Sequence, residues 1–255
     1  MAVMKYFILV LMFAGIFWGC SSSVDTINFT PDERLAYAMK IYNDEDYEDA
    51  LNEFQAIVLQ YPGNAIVDNA QFYLGQTRFK RGEYLLAAYE FSKLVKNMPA
   101  SEFVPQAQYM LAECYYQLSP EYSLDQKYTK KAIEEFQAFI DFFPSNEKVP
   151  DAERKITLLN DKLAYKDLVI ARIYTKLDYY KAALDYYDDV VETYHDTKYA
   201  PVASYEKIKL LVQLNRNSEA LFEISKFIQK YPDDSNKDEI LELKSTLENK
   251  LSASK

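Results

Sequence analysis

Apolar residues recur along this chain at spacings of three, four and three, and each group is followed by a position that stops a helix. The first copy consists of Tyr47, Ala50, Phe54 and Ile57, closed by Pro62. This spacing places the four residues on one face of an α-helix, and a proline just past the last turn ends that helix. Four more segments carry the pattern: Tyr84, Ala87, Phe91, Leu94 and Pro99; Thr129, Ala132, Phe136, Phe139 and Pro144; Tyr180, Ala183, Tyr187, Val190 and His195; and Asn217, Ala220, Ile224, Phe227 and Pro232. The sequence therefore predicts a repeated amphipathic helix.

A second helical pattern precedes these copies and places a small residue where two helices would cross. These small residues are Ala38, Gly75, Ala112 and Ala171. Paired helices with small residues at both contact points and a terminal proline resemble the tetratricopeptide repeat. The resemblance implies an all-α fold, a right-handed α-solenoid of about five helix hairpins. Helical spacing of Ile240, Leu243 and Leu247 predicts a C-terminal capping helix from Lys237 to Leu251.

The repeat is interrupted in three places. An extra stretch from Ser119 to Gln126 predicts a projecting loop inside the third unit. No helix-breaking residue separates the segment before unit four from the first helix of that unit. The sequence therefore predicts one long helix from about Val149 to Leu177. In unit five the first helix is predicted to slip by one residue around Ile208 to Leu214. The long helix divides the body into a three-repeat half, residues 32–148, and a two-repeat half with the capping helix, residues 149–255.

The segment from Met1 to Gly19 has the composition of a signal peptide. One cation, Lys5, precedes an apolar run from Tyr6 to Trp18, which is shorter than the roughly 20 residues that span a bilayer. Cys20 follows at once, and residues 20–31 predict a flexible tether. This arrangement resembles the lipobox of bacterial lipoproteins, although Phe17 and Trp18 are bulkier than the usual residues.

The lipobox resemblance implies an S-diacylglycerol and an N-acyl chain such as palmitate on Cys20, and no other cofactor. Ser21 matches sorting to the outer membrane. The alternative is an ordinary signal peptide followed by an incidental cysteine.

Composition and charge narrow the possible functions. A formal net charge of −10 argues against a nucleic-acid partner, because phosphate binding needs clustered Lys and Arg. With one histidine, His195, and Cys114 predicted to be a buried core residue, no zinc set is expected. The chain also lacks a phosphate-binding glycine loop and a GxSxG motif. These observations predict a protein that is not an enzyme.

With enzymes and nucleic-acid binding disfavoured, we expect a surface that binds another protein. The first helix of each unit lines the concave groove of a tetratricopeptide stack, so this helix is expected to carry the surface. Rings interleaved with amides suit an extended peptide. The alternative is that some of these rings pack against the tether or the inserted loop. The predicted groove residues are Leu35, Met39, Tyr42, Asn69, Phe72, Gln76, Phe79, Lys80, Gln106, Tyr109, Glu113 and Tyr116.

The lipobox, the five units and the position of the interruptions together resemble the BamD-type lipoproteins of the β-barrel assembly machinery. The residues concerned include Ser123–Gln126 (SLDQ), Thr129, Ala132, Phe136, Pro144, Ser145, Ala152, Leu163, Ala164, Ala171, Tyr174, Tyr180 and Ala183. Many members of that family carry an arginine in a region that meets the barrel-forming subunit. The matching position here is Tyr186, with Asp185, Asp188 and Asp189 around it, so that contact cannot be carried over.

The family resemblance implies a lipid-anchored subunit at the periplasmic face of the outer membrane. Its expected partners are a barrel-forming subunit with periplasmic domains and unfolded outer-membrane β-barrel proteins. Two alternatives stay open at this point. One is a periplasmic tetratricopeptide scaffold lipoprotein that coordinates cell-envelope or peptidoglycan machinery, and the other is a hydrolase.

Overall fold

The structure is a computed structural model that describes residue 26 and residues 28–253. Within that part of the chain it contains eleven α-helices and no strand. The predicted signal peptide (residues 1–19), Cys20 and the tether up to residue 25 lie outside the described residues. The helices are α1 (Pro31–Asn43), α2 (Tyr47–Gln60), α3 (Val67–Lys80), α4 (Tyr84–Asn97), α5 (Val104–Leu118), α6 (Lys127–Phe142), α7 (Val149–Lys176), α8 (Tyr180–Thr193), α9 (Ala200–Gln213), α10 (Asn217–Lys230) and α11 (Lys237–Ala253).

The first ten helices form five hairpins, each consisting of an A helix (α1, α3, α5, α7 or α9) and the B helix that follows it. Each helix packs against the next one in the chain, and α9 also contacts α7. Contacts between successive elements are the signature of a solenoid. The predicted all-α fold is confirmed, and α11 closes the series with Ile240 and Leu247 buried against the last hairpins.

The repeated apolar face is the core of the molecule. The alanine and the two large residues that follow it in every predicted B helix are at most 2% exposed. Burial of each large side chain contributes about 1.5–3 kcal/mol. These helices end two residues before the predicted stop positions Pro62, Pro99, Pro144, His195 and Pro232. The fifteen buried residues are Ala50, Phe54, Ile57, Ala87, Phe91, Leu94, Ala132, Phe136, Phe139, Ala183, Tyr187, Val190, Ala220, Ile224 and Phe227.

Four of the hairpins turn through a residue with a left-handed backbone. This residue stands two positions before the B helix and is Glu45 (φ 64°), Gly82 (φ 74°), Asp178 (φ 61°) or Asn215 (φ 57°). Glycine adopts this conformation freely, and Asn and Asp tolerate it, whereas other L-residues pay about 1–2 kcal/mol. Glu45 is therefore the strained member of the set.

The long helix is present as predicted, but the inserted loop does not project. Helix α7 has 28 residues and a length of about 42 Å. The loop folds back on its middle, where Lys162 Nζ donates to Ser119 Oγ at 2.8 Å and to Pro120 O at 3.0 Å. The rings of Tyr122 and Tyr165 meet edge to face, with centroids 4.7 Å apart. Lys162 and Tyr165 of α7 give the loop polar and aromatic partners, so the prediction of a projecting loop was wrong.

The predicted slip in unit five is also absent. The offset from the start of α3 to the start of α9, Val67 to Ala200, equals the offset from the start of α4 to the start of α10, Tyr84 to Asn217, so the register is unchanged. Ile208 stands where Gly75 stands in unit two and is fully buried. A larger residue at the helix crossing, and not a shift in register, explains the poor fit of this unit to the repeat pattern.

Candidate peptide-binding surface

The predicted groove residues of unit one lie beside the core, and Tyr42 contacts an aromatic ring of unit two. Leu35, Met39 and Tyr42 are partly buried against a core cluster that includes Phe54 and Leu74. The Tyr42 ring lies edge to face with Tyr47 and Tyr73, at centroid distances of 5.7 and 5.3 Å. Burial and the two neighbouring phenols raise the pKa of Tyr42, so its hydroxyl stays neutral and can donate a hydrogen bond.

In unit two the structure corrects one predicted residue. Phe72 is only 7% exposed. Its ring stacks on Phe103, with centroids 4.9 Å apart, and also contacts Phe91 at 5.8 Å. Phe103, the residue just before α5, covers the side of α3 that the helix register alone leaves open. Phe72 is therefore a core residue and does not line a groove.

The rest of the unit-two set remains accessible to different degrees. Gln76 and Phe79 are partly exposed, and Lys80 is exposed at the end of α3. The Phe79 ring meets Tyr84 edge to face at 5.2 Å, which fixes its orientation. Asn69 is partly buried, and its Oδ1 has no hydrogen-bond partner among the described residues. Amide, ring and ammonium groups thus follow one another along the exposed side of α3.

In unit three the predicted residues converge on a lysine that the sequence reasoning missed. Lys155 of α7 forms an ion pair with Glu113, and its Nζ lies 2.8 Å from Tyr109 Oη. The same Nζ is 5.1 Å from the ring centroid of Tyr109 and 5.3 Å from that of Tyr116. The Lys155 side chain is only 11% exposed, and that of Glu113 is 13% exposed. The Lys155 ammonium therefore contacts three predicted groove residues, Tyr109, Glu113 and Tyr116.

Asp151, one turn before Lys155, completes this group. The Tyr109 hydroxyl donates to its carboxylate, and Lys155 Nζ lies 3.1 Å from Asp151 Oδ2. Gln106, also predicted to line the groove, is exposed outside the group. We call Tyr109, Glu113, Tyr116, Asp151 and Lys155 the Lys155 network. Asp151 and Lys155 are two charged residues at i and i+4 on the apolar side of the long helix. This pattern in the sequence could have identified the Lys155 network.

Charge and burial in the Lys155 network shift the pKa of Tyr109, Asp151 and Lys155. Burial, and then the hydrogen bond to Asp151, raise the pKa of Tyr109 to about 12. Burial alone would raise the pKa of Asp151, but hydrogen bonds from Tyr109, Arg154 and Lys155 outweigh it and hold that pKa below its usual value. Burial would lower the pKa of Lys155, but Glu113, Tyr109 and Asp151 raise it. Near neutral pH the network therefore contains the Lys155 ammonium, the Asp151 carboxylate and the neutral Tyr109 phenol.

A second exposed surface lies at the tip of the α7–α8 hairpin. Ile173, Leu177 and Tyr179 are 49%, 57% and 63% exposed, and we call them the hairpin-tip patch. Beside it, Tyr186 stacks on Tyr174 with ring centroids 5.6 Å apart. Large apolar residues grouped on a surface are typical of protein contacts.

Two further residues, His195 and Cys114, carry side chains of the kind that can take part in catalysis or metal binding. His195 is exposed, with Nε2 3.2 Å from a carboxylate oxygen of Asp196. Cys114 is fully buried, and burial, followed by the charge of Glu113, raises the pKa of its thiol far above the usual range. Among the described residues, no group of three or more His, Cys, Asp or Glu side chains is placed to hold a metal ion.

Five A–B hairpins, four of them with a small residue at the crossing, and core clusters that neighbouring hairpins share define a protein of the tetratricopeptide-repeat class. Residues 30–218 match the family described as "YfiO: Outer membrane lipoprotein", and the chain belongs to that family.

Among curated proteins, the chain is similar to the outer membrane protein assembly factor BamD of Rickettsia prowazekii, with 27% identity over 86% of this chain and 88% of the relative. It is also similar to BamD of Vibrio cholerae, with 22% identity over 83% of this chain and 95% of the relative. Among solved structures, it is similar to the "TPR2AB-domain:pHSP90-complex of yeast Sti1", with a TM-score of 0.43, 16% identity, and coverage of 87% of this chain and 84% of that one.

Proposed function

We propose that this protein is a non-enzymatic, lipid-anchored subunit of the machinery that assembles β-barrel proteins in the outer membrane. Membership of the outer membrane lipoprotein family across residues 30–218 is the observation that carries the proposal. Relatives that align over most of their length are named outer membrane protein assembly factors. Lipid attached to Cys20 would hold the solenoid at the periplasmic face of that membrane.

The A helices would bind an extended segment of an unfolded barrel protein. Gln76, Phe79 and Lys80 supply an amide, a ring and a cation along the exposed side of α3. A ring can take an apolar side chain, an amide can bind the peptide backbone, and an ammonium can attract a carboxylate. Tyr109 and Tyr116, whose rings pack against Phe136, lie on the next A helix, α5, and would extend this surface. Leu35 and Met39 extend it toward unit one.

The hairpin-tip patch would contact the barrel-forming partner through its periplasmic domains. It lies in the two-repeat half, away from the α3 surface along the chain, so one molecule could hold substrate and partner together. Ile173, Leu177 and Tyr179 offer the apolar centre that stable contacts need.

The substrate-binding part is tested with a labelled peptide that ends in an aromatic residue and the lipidated full chain in detergent. Two or three partly buried contacts, less the cost of association, predict micromolar to millimolar affinity. We expect the double variant Gln76→Ala, Phe79→Ala to bind about tenfold more weakly in fluorescence anisotropy, a loss of about 1.4 kcal/mol. Unchanged affinity in the folded variant would exclude the α3 surface.

Tyr89→Ala is the matched control for this experiment. Tyr89 is an exposed ring, but it lies on the B helix α4. Its removal should leave peptide binding unchanged. For the partner, co-purification in detergent should recover a large barrel protein with periplasmic domains, and Tyr179→Asp should reduce its yield. Recovery of peptidoglycan enzymes without such a barrel protein would support an envelope scaffold instead.

A further inference from the structure

In each hairpin, one face of the A helix packs against the B helix. Helix α7 is long enough to carry this face at two places along its length, and a B helix covers only one of them. The contacts of unit two define this face. Gln71 Nε2 donates to the backbone oxygen of Glu90 at 3.1 Å and to its carboxylate at 2.9 Å. A Cβ at Gly75 would lie 2.7 Å from the Phe91 ring, so α4 approaches closely there. The face continues at Arg78, whose Nε is 3.5 Å from Glu90.

Unit three repeats the same contacts at the equivalent positions of its own hairpin. Gln108 Nε2 donates to the backbone oxygen of Glu135 at 3.1 Å and to its carboxylate at 2.9 Å. Ala112 is fully buried at the crossing with α6. Tyr115 stacks on Tyr128 of α6, with ring centroids 6.1 Å apart. The positions that contact the B helix are therefore the same relative to the starts of α3 and α5.

Counted from the start of α7, the same positions are Glu153, Thr157 and Asn160. Glu153 and Thr157 are exposed, and Asn160 is partly exposed. They line a cleft together with Gln137 and Ile140 of α6. The other residues that line it are Ile156, Thr193, Tyr194, Asp196 and Thr197. The B helix α6 and the last residue of the B helix α8 border the cleft, yet Glu153 and Thr157 stay exposed, whereas Gln71 and Gly75 are buried under α4.

The B helix of unit four packs farther along. Asp167, Ala171 and Tyr174 follow Glu153, Thr157 and Asn160 at a distance of about four helical turns, so they stand on nearly the same face. Ala171 is fully buried, and Tyr174 stacks on Tyr186 of α8. The extra length of α7 has moved its own partner helix along the axis by about 21 Å. The first half of α7 is left with an unoccupied helix-binding face.

The side chains on this face indicate what would occupy it. Thr157 stands at the crossing position of Gly75 and Ala112, and its Oγ1 already donates to Glu153 O at 3.1 Å, so its hydroxyl needs no further acceptor. Glu153 stands where Gln71 and Gln108 donate to a glutamate. Its carboxylate can only accept, and it forms no ion pair within the described chain. A partner side chain at that place must therefore be a donor, and a cation is favoured.

We propose that the Glu153–Asn160 face binds an α-helix of another protein, in the position of a missing B helix, with a Lys or Arg opposite Glu153. Ile140 and Ile156 are partly buried against the core at the base of the cleft and supply apolar contact. A helix of three turns matches the open length from residue 149 to residue 160, about 18 Å. This surface is separate from the α3 surface and from the hairpin-tip patch.

A synthetic helix tests this directly. The probe is a stapled peptide with the α4 sequence Tyr84–Asn97 in which Glu90→Lys supplies the cation, and binding to the full chain is measured by fluorescence anisotropy. The Lys peptide should bind about tenfold more tightly than the peptide with the native Glu90, and Glu153→Lys should reverse that preference. Glu134→Lys, an exposed acid on α6, is the control and should change neither affinity.

Three results would overturn the proposal. They are equal binding of the two peptides, binding that Glu153→Lys does not alter, and equal binding of a peptide whose helix is broken by Ala88→Pro. Light scattering tests whether a second copy of this chain occupies the face. A dimer of the full chain that Glu153→Lys dissociates would mean that a second copy, and not a separate partner, fills the face.

Discussion

Replacing Lys155 with methionine should destabilise the protein at the junction between unit three and α7. Methionine keeps most of the side-chain length but removes the ammonium that pairs with Glu113 and lies beside Tyr109. Removal of one member of a buried ion pair costs about 3–5 kcal/mol, because the other charge is left without compensation. Asp151 keeps its hydrogen bonds from Tyr109 and Arg154, so the loss falls mainly on Glu113. We therefore expect a loss of about 2–3 kcal/mol.

The free energy of unfolding is measured by urea titration followed by far-UV circular dichroism, with a calorimetric scan beside it. For a chain of this size, about 2–3 kcal/mol corresponds to a decrease in Tm of roughly 5–10 °C. Arg154→Met is the control, because the Arg154 side chain is 59% exposed and its pair with Asp151 should be worth less than about 1 kcal/mol. A double-mutant cycle with Glu113→Gln should give a coupling of about 1 kcal/mol or more. A Lys155→Met loss no larger than the control, or a coupling near zero, would refute the reasoning.

Three further predictions concern the core, the turns and pH. Phe72→Ala should cost about 3–4 kcal/mol in urea unfolding because it leaves a cavity between Phe91 and Phe103, and a loss below about 1 kcal/mol would contradict its place in the core. Glu45→Gly should stabilise by about 1 kcal/mol, whereas Gly82→Ala should destabilise by a similar amount, since both positions have positive φ; opposite signs in thermal scans would contradict this. The raised pKa of Tyr109 means that the folded state holds this proton more tightly, so its contribution is complete below pH 10 and is lost as pH rises through about 12. Stability measured against pH should therefore fall less steeply over that range in Tyr109→Phe than in the parent chain.

The B helices could be predicted because their signal is local. An alanine and two large apolar residues at helical spacing, with a stop two residues after the helix, determine both the face and the end of each segment. The length of α7 could be predicted for the same reason, since nothing between Val149 and Lys176 interrupts the apolar stripe. In both cases the deciding residues lie within one helix.

The candidate site was predicted less well because it depends on contacts between elements. Helix register assigned Phe72 to an open face, but it could not show that Phe103, from the start of the next A helix, would cover that face. Register likewise identified Tyr109, Glu113 and Tyr116 as neighbours, yet Lys155 reaches them from the A helix of the following unit. The inserted loop was expected to project, since no apolar pattern in it revealed the lysine and tyrosine of α7 that bind it.

The number of residues in α7 sets the angle between the two halves of the molecule. Each residue added to a helix advances it by about 1.5 Å and turns it by about 100°. Seven residues removed from its first half would shift the two-repeat half by about 10 Å but rotate it by only about 20°, whereas five removed would rotate it by about 140°. Changes in the length of this one helix would therefore alter the distance between the α3 surface and the hairpin-tip patch in steps, and only some of those steps would keep the two surfaces in the same relative orientation.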